Sequence, residues 1–153
     1  MIDFLELDSI EDYRKYYEEN YCKKPIITFD HIPVYFHKNR FSHAFYESSD
    51  RRGAKDVFSY IRAKRMSWIK FILKSKYAHI LQGWDKRKKK YDPCMRVAYE
   101  YEQFVVVVRI SLKKNGRLKG NFITCYQADN SFKKIKKSPL WNKEECLKYL
   151  NGR

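Results

Sequence analysis

The run Phe104-Val105-Val106-Val107-Val108-Arg109-Ile110-Ser111-Leu112 is followed by Lys113-Lys114-Asn115-Gly116-Arg117 and then, after a short gap, by Gly120-Asn121-Phe122-Ile123-Thr124-Cys125-Tyr126-Gln127. β-Branched and aromatic residues fill both long runs, and an Asn-Gly between two such runs is a strong signal for a tight turn joining antiparallel strands. Upstream, Ala78 to Gly83 and Met95 to Glu100 keep the same two-residue period, so four successive strands are expected to form an antiparallel meander.

Before the strands the period is helical. Ser9-Ile10-Glu11-Asp12 has the form of a capping box, with Ser9 accepting from the amide of Asp12, and predicts a helix from about Ile10 to Glu19 that stops at Lys24-Pro25. Pro25 to Phe36 is rich in Ile, Val, Thr, Phe and Tyr but is interrupted by Asp30 and Pro33, which suggests one or two short strands at a sheet edge. Asn39 to Tyr46 is expected to be a short helix and Glu47 to Gly53 a polar loop. Ala54, Val57, Phe58, Ile61, Trp68, Ile69 and Ile72 keep a helical spacing to about Lys74. A last helix is expected over about Asn142 to Leu150. Helices first and strands later predict an α+β domain, its helices on one face of a four-stranded antiparallel sheet and a short C-terminal helix. The 153 residues are read as one domain: an acidic N-terminal helix to residue 24, an α+β core over 25–141 and the C-terminal helix from 142. The other sheet face is left free to bind.

Charge indicates what would bind there. The chain has 33 Lys and Arg against 18 Asp and Glu, a net charge of +15. Such an excess points to nucleic acid or an anionic membrane surface. It is also uneven: residues 1–20 carry seven acids against Arg14 and Lys15, net −5, which leaves +20 on the rest. Two readings of the acidic helix stand, a solvated cover on the core or a strap across the basic face. No apolar stretch approaches the roughly 20 residues of a membrane span and no basic-then-apolar leader follows Met1, so a cytoplasmic protein without membrane attachment is expected. Cys22, Cys94, Cys125 and Cys146 are scattered without a CxxC pair and read as reduced, mostly buried thiols. No metal or other cofactor is expected.

Several residue groups could carry chemistry. Thr124 and Tyr126 lie two apart on a strand and therefore point to one face, a hydroxyl pair suited to phosphate. Lys86-Arg87-Lys88-Lys89-Lys90 falls between two strands as an exposed loop, and Lys133, Lys134, Lys136 and Lys137 follow the last strand. Adjacent cations repel unless an anion neutralises them, so both clusters are candidate nucleic-acid contacts. Arg62 and Arg65 are three apart on the long helix. Arg65, on the edge of the apolar stripe, is read either as half of a salt bridge to a carboxylate such as Glu100 or Asp129, or as a phosphate grip. Of His31, His37, His43 and His79, His43 is the candidate general base, because it precedes a polar loop in a region rich in Tyr and Arg.

Four segments together carry a resemblance: His43-Ala44-Phe45-Tyr46-Glu47-Ser48-Ser49, Arg62-Ala63-Lys64-Arg65-Met66-Ser67-Trp68-Ile69, Gly83-Trp84-Asp85 through Tyr91-Asp92, and Phe122-Ile123-Thr124-Cys125-Tyr126-Gln127-Ala128-Asp129. Over roughly residues 30–141 the chain resembles the phage and mobile-element branch of the barnase/EndoU/colicin/RelE-like nuclease superfamily. The resemblance implies helices on a curved four-stranded antiparallel sheet, and a metal-independent, often toxin-like endoribonuclease. It also implies His43 as base or acid, Arg65 and Arg96 at the phosphate, and Thr124 and Tyr126 as hydrogen-bond donors, with Tyr126 alternatively stacking on a base. The implied partners are RNA and an acidic antitoxin or immunity protein. Two rival readings stand beside it: a non-catalytic nucleic-acid binder that uses a basic, aromatic sheet face, and a protein-binding module for an acidic partner.

Overall fold

The computed structural model describes residues 2–49, 55–129 and 132–152. Helix α1 (Ile10–Tyr17) starts where Ser9 Oγ accepts the Asp12 amide at 3.1 Å, and continues as a π-helical turn over Glu18–Cys22, three residues beyond the predicted end. Tyr13, Tyr17 and Tyr21, each four residues apart, stay on the buried side, while Glu11, Asp12 and Glu19 are exposed. The acidic helix is thus a solvated cover on the core.

Eight strands follow in two sheets. In the larger sheet, β1 (Ile26–Ile27), β2 (Pro33–Tyr35), β5 (His79–Asp85), β6 (Lys90–Tyr101), β7 (Phe104–Leu112) and β8 (Leu118–Gln127) lie in the order β1-β2-β8-β7-β6-β5. The expected meander is present as β5 to β8, and Gly116 of the Asn-Gly turn takes the left-handed φ of 83° that this turn requires. The α+β class holds, but the sheet is six-stranded and mixed rather than four-stranded and antiparallel. The cause is the Pro25–Phe36 segment: β1 and β2 pair with each other, and β2 docks parallel to β8 through Val34↔Gly120 and Tyr35↔Asn121. Strands of two and three residues leave no readable period in a sequence. Gly120 makes the docking possible, since a Cβ there would lie 2.6 Å from a Val108 methyl and 3.1 Å from one of Val34.

The second sheet corrects another expectation. Tyr46–Ser48 (β3) pairs antiparallel with Lys55–Phe58 (β4), so Val57 and Phe58 belong to a strand and not to the long helix, while Ala54 lies outside the described residues, as do Asp50 to Gly53 of the predicted loop. Their spacing to Ile61 imitates a helical stripe, but Phe58 packs across the ribbon on Tyr46, ring centroids 5.3 Å apart. Between the two sheet segments, a 3₁₀ turn (Lys38–Arg40) leads into α2 (Phe41–Ala44). The helical residues after β4 divide into α3 (Tyr60–Ala63), capped by Ser59, and α4 (Met66–Lys74). Helix α5 (Phe132–Lys136) and helix α6 (Lys143–Asn151, capped by Asn142) complete the chain.

The core is unusually aromatic and lies between the helices and one face of the sheet. Tyr17, Phe36, Phe41, Phe45 and Phe122 form a connected set of rings, with Phe36 and Phe122 stacked at 4.8 Å. Val106, Val108 and Ile110 of β7 join this core, whereas Val105 and Val107 belong to a small cluster on the opposite face with Ala98, Ile123, Tyr126, Phe132 and Ile135. Cys94, Cys125 and Cys146 are buried and Cys22 is half-buried, as expected of structural thiols. Among the described residues no helix is long and apolar enough to cross a membrane.

Candidate active site at the free end of strand β8

Strand β8 changes character halfway along. Its first half is held on both sides, by β7 and by β2, but β2 ends opposite Asn121. From there on helix α2 lies beside β8, and the Ile123 carbonyl accepts two hydrogen bonds from the Arg40 guanidinium, at 2.9 and 3.2 Å. At the same place the pairing slips: Phe122 faces Val108, Thr124 faces Val107, and Ile123 is the extra residue of a β-bulge. A bulge of one residue exchanges the two faces of everything after it. Phe122 therefore enters the aromatic core, while Thr124 and Tyr126 turn to the open face, opposite Val107 and Val105, and Cys125 takes the core position. The hydroxyl pair does share a face, and the bulge decides which one.

Cations converge on this end of β8. His43, in α2, is half-buried and its proton affinity is depressed to about 4 by burial, then by the charges of Lys55, Arg40, Arg62 and Arg96. Each of the first three cations is anchored by a backbone carbonyl: Lys55 Nζ donates to His43 O at 2.8 Å, Arg62 Nη1 to Ala44 O at 3.1 Å, and Arg40 to Ile123 O. Lys55 is itself held below the usual ammonium range by burial and by Arg62 and Arg40. One carboxylate, Glu47, stands 3.3 Å from Arg62 Nε, with its side chain half exposed. Four basic side chains thus surround a histidine, and among the described residues Glu47 is the acid that pairs with one of them. Repulsion of this kind is a standing cost that an anion would relieve.

Thr124 supplies a second, independent sign. It is only 8% exposed, and its hydroxyl has no hydrogen-bond partner among the described residues. A buried hydroxyl without a partner costs about 1–3 kcal/mol, and this one is a free donor on the open face of β8. Tyr126, two residues on, is pushed by burial to hold its proton more tightly, opposed by Arg96 and Arg62. Arg96 reaches this position through a second irregularity. Between Gln82 and Gly83 the β5–β6 register jumps, and a Cβ on Gly83 would lie 2.0 Å from the Arg96 carbonyl oxygen. Only glycine lets β6 cross there.

An open cleft of about 790 Å³ runs from this cluster along the open face. Ile123, Tyr126 and Arg96 belong to both, and Lys86, Arg87 and Lys134 line its flanks.

The structure therefore brings His43 into the field of Arg62 and Arg96 and Tyr126 into that of the same two arginines, with Thr124 two residues before Tyr126 on the same face. The run from Lys86 to Lys90 forms the exposed turn of the β5–β6 hairpin and the start of β6, with Asp85 Oδ1 accepting the amides of Arg87 and Lys88. Lys133, Lys134 and Lys136 are exposed on α5 and Lys137 just after it. Arg65 stands apart. Its guanidinium stacks over Phe4 and Trp68, at 4.9 and 5.1 Å from the ring centroids, and Nη1 donates to Ile61 O at 2.8 Å. Nor does either predicted carboxylate hold it in an ion pair: Glu100 instead meets His79 Nδ1 at 2.8 Å, and Asp129 acts on Arg65 only through its field. Arg40 and Lys55 were not among the predicted site residues. Arg40 sits three before His43, a spacing that puts both on one side of a helical turn; Lys55 arrives from across the β3–β4 ribbon, for which the sequence carries no signal.

Among the described residues no group of three or more His, Cys, Asp and Glu side chains is placed to hold a metal ion. In comparisons with known proteins, no family model, no curated protein and no solved structure matches this chain.

Proposed function

We propose that this protein is an endoribonuclease that cleaves RNA without a metal, by attack of a 2′-hydroxyl on the adjacent phosphate. The observation that carries the proposal is the meeting of four cations and a neutral histidine at the bulged end of β8 with the buried, unpartnered hydroxyl of Thr124. The resemblance to the barnase/EndoU/colicin/RelE-like superfamily supports the same reading, and with it a toxin-like role and an acidic neutralising partner.

The chemistry follows from the residue types. A phosphodiester brings its negative charge to Arg96 and Arg62, whose planar guanidinium forks match phosphate oxygens. His43, kept neutral by its cationic surroundings, has a lone pair to accept the 2′-hydroxyl proton. As the 2′-oxygen bonds to phosphorus, charge grows on the non-bridging oxygens, where the cations and the Thr124 hydroxyl stabilise it. The bond from phosphorus to the 5′-oxygen then breaks, and Tyr126, which retains its proton, is the donor at hand for the leaving oxygen. The products are a 2′,3′-cyclic phosphate and a 5′-hydroxyl. Arg65 has no part in this scheme.

The test is cleavage of an RNA oligonucleotide in excess EDTA beside the same oligonucleotide with 2′-deoxyribose at every position. Cyclic phosphate ends from the first and no cleavage of the second are expected. Equal cleavage of both would exclude 2′-hydroxyl attack.

A further inference from the structure

The cleft beside the cation cluster has the composition of a base-binding slot. Its floor is apolar, formed by Ala98, Val107 and Ile123 of the open sheet face. One wall is aromatic: Trp84 and Tyr91 are directly paired across β5 and β6, their rings 5.1 Å apart and at 78° to each other. Trp84 is 43% exposed, unlike Trp68 and Trp141, which are 7% and 9% exposed. The rim is cationic, with Lys86 and Arg87 from the hairpin on one side and Lys134 from α5 on the other. An apolar floor with an aromatic wall suits a flat heterocycle, and a cationic rim suits the phosphates on either side of it.

Building on the ribonuclease reading, we propose that this cleft seats an unpaired nucleobase of the RNA, stacked against Trp84 next to the phosphate held at Arg96, and thereby makes the protein select single-stranded RNA. Arg96 and Tyr126 line the cleft and also belong to the cation cluster, so one nucleotide can lie in both. In a duplex the bases are stacked inward and the A-form major groove is too narrow and deep for side chains to read. A base therefore stacks on Trp84 only where the strand is unpaired. The volume of about 790 Å³ falls within the range of sites that enclose small organic ligands, roughly 300–1,000 Å³.

The experiment uses a 2′-O-methyl oligoribonucleotide, which binds but offers no free 2′-hydroxyl for attack. Titrated into the full-length protein as a single strand, it is expected to quench tryptophan emission; the Trp84→Phe variant should lose the quench and keep the affinity. Trp84→Ala should bind the strand roughly 5- to 150-fold more weakly, the range for losing one base–aromatic stack. A blunt duplex of the same sequence should give little quench. Binding of the single strand with no Trp84 signal, or equal affinity of Trp84→Ala and wild type, would overturn the slot while leaving the cleavage reading intact. Conversely, a Trp84-dependent quench in a protein that cleaves no RNA would uphold the slot and remove the cleavage reading.

Discussion

On the covered face of the sheet, Val106, Val108 and Phe122 meet a layer of aromatic rings; on the open face, Val105, Val107, Thr124 and Tyr126 meet cations and a cleft. The same strands supply both faces, and a single extra residue, Ile123, assigns Phe122 to one and Thr124 to the other. Burial and charge are thus separated by strand alternation, the apolar side providing burial and the cationic side bearing an electrostatic cost. Arg62 and Arg65 repeat the contrast within one stretch of sequence. Arg65 lies over two aromatic faces, whereas Arg62 is held by the Ala44 carbonyl and Glu47, where its charge lowers the proton affinity of His43.

The sharpest way to break this separation is to remove one group from each face. Removing the proposed general base in His43→Ala should lower RNA cleavage by about 10²- to 10⁴-fold with little change in the unfolding midpoint. Phe122→Ala should do the reverse on denaturant titration, costing about 3–5 kcal/mol through the cavity it opens in the ring cluster. A loss of stability in His43→Ala comparable to that in Phe122→Ala would mean that the open face is structural.

Thr124→Val tests the orphaned hydroxyl with shape preserved. Cleavage should fall by about 10²-fold, the effect of losing one donor to a developing oxyanion, while stability rises by about 1 kcal/mol as a buried polar group without a partner disappears.

The pH dependence sharpens the electrostatic side of the comparison. The acidic limb of kcat/KM should fall near pH 4 rather than at the ordinary histidine value of 6.5, and Lys55→Met or Arg62→Met should move it upward. The folded protein binds the His43 proton less tightly than the unfolded chain does. Its contribution to stability is therefore intact above pH 6.5 and is lost as pH falls toward 4, a slope that His43→Gln should remove from denaturation curves.

Smaller effects separate the remaining cations. Arg65→Met should leave cleavage unchanged and cost about 0.5–2 kcal/mol of stability from the lost ring contacts, read by thermal unfolding. Lys88→Ser, on the hairpin turn, should reduce the slope of log affinity for single-stranded RNA against log salt by about 0.7 if that lysine neutralises one phosphate.

Much of this was legible in the residues, because alternation and capping are local. Strand β7 has the predicted limits, Asn-Gly marks its turn, and Ser9 caps its helix. What was not legible is non-local. Parallel docking of β2 on β8 depends on Gly120 meeting Val34, and the β3–β4 ribbon depends on Phe58 finding Tyr46, neither of which leaves a period. The candidate site divides the same way: Thr124, Tyr126 and His43 were named from residue type, spacing and the resemblance, whereas Lys55 comes to His43 only through the ribbon. Arg65 was placed at the phosphate by the resemblance, and its contacts with the Phe4 and Trp68 rings come from tertiary packing that its spacing does not encode.

The claim that the free end of β8 is a ribonuclease site is tested most directly by incubating total RNA in EDTA with wild-type protein, His43→Ala and Thr124→Val at equal folded concentration. Cleavage by wild type and its loss, in large part, from both variants is expected. Intact RNA throughout, or equal cleavage by all three proteins, would contradict it.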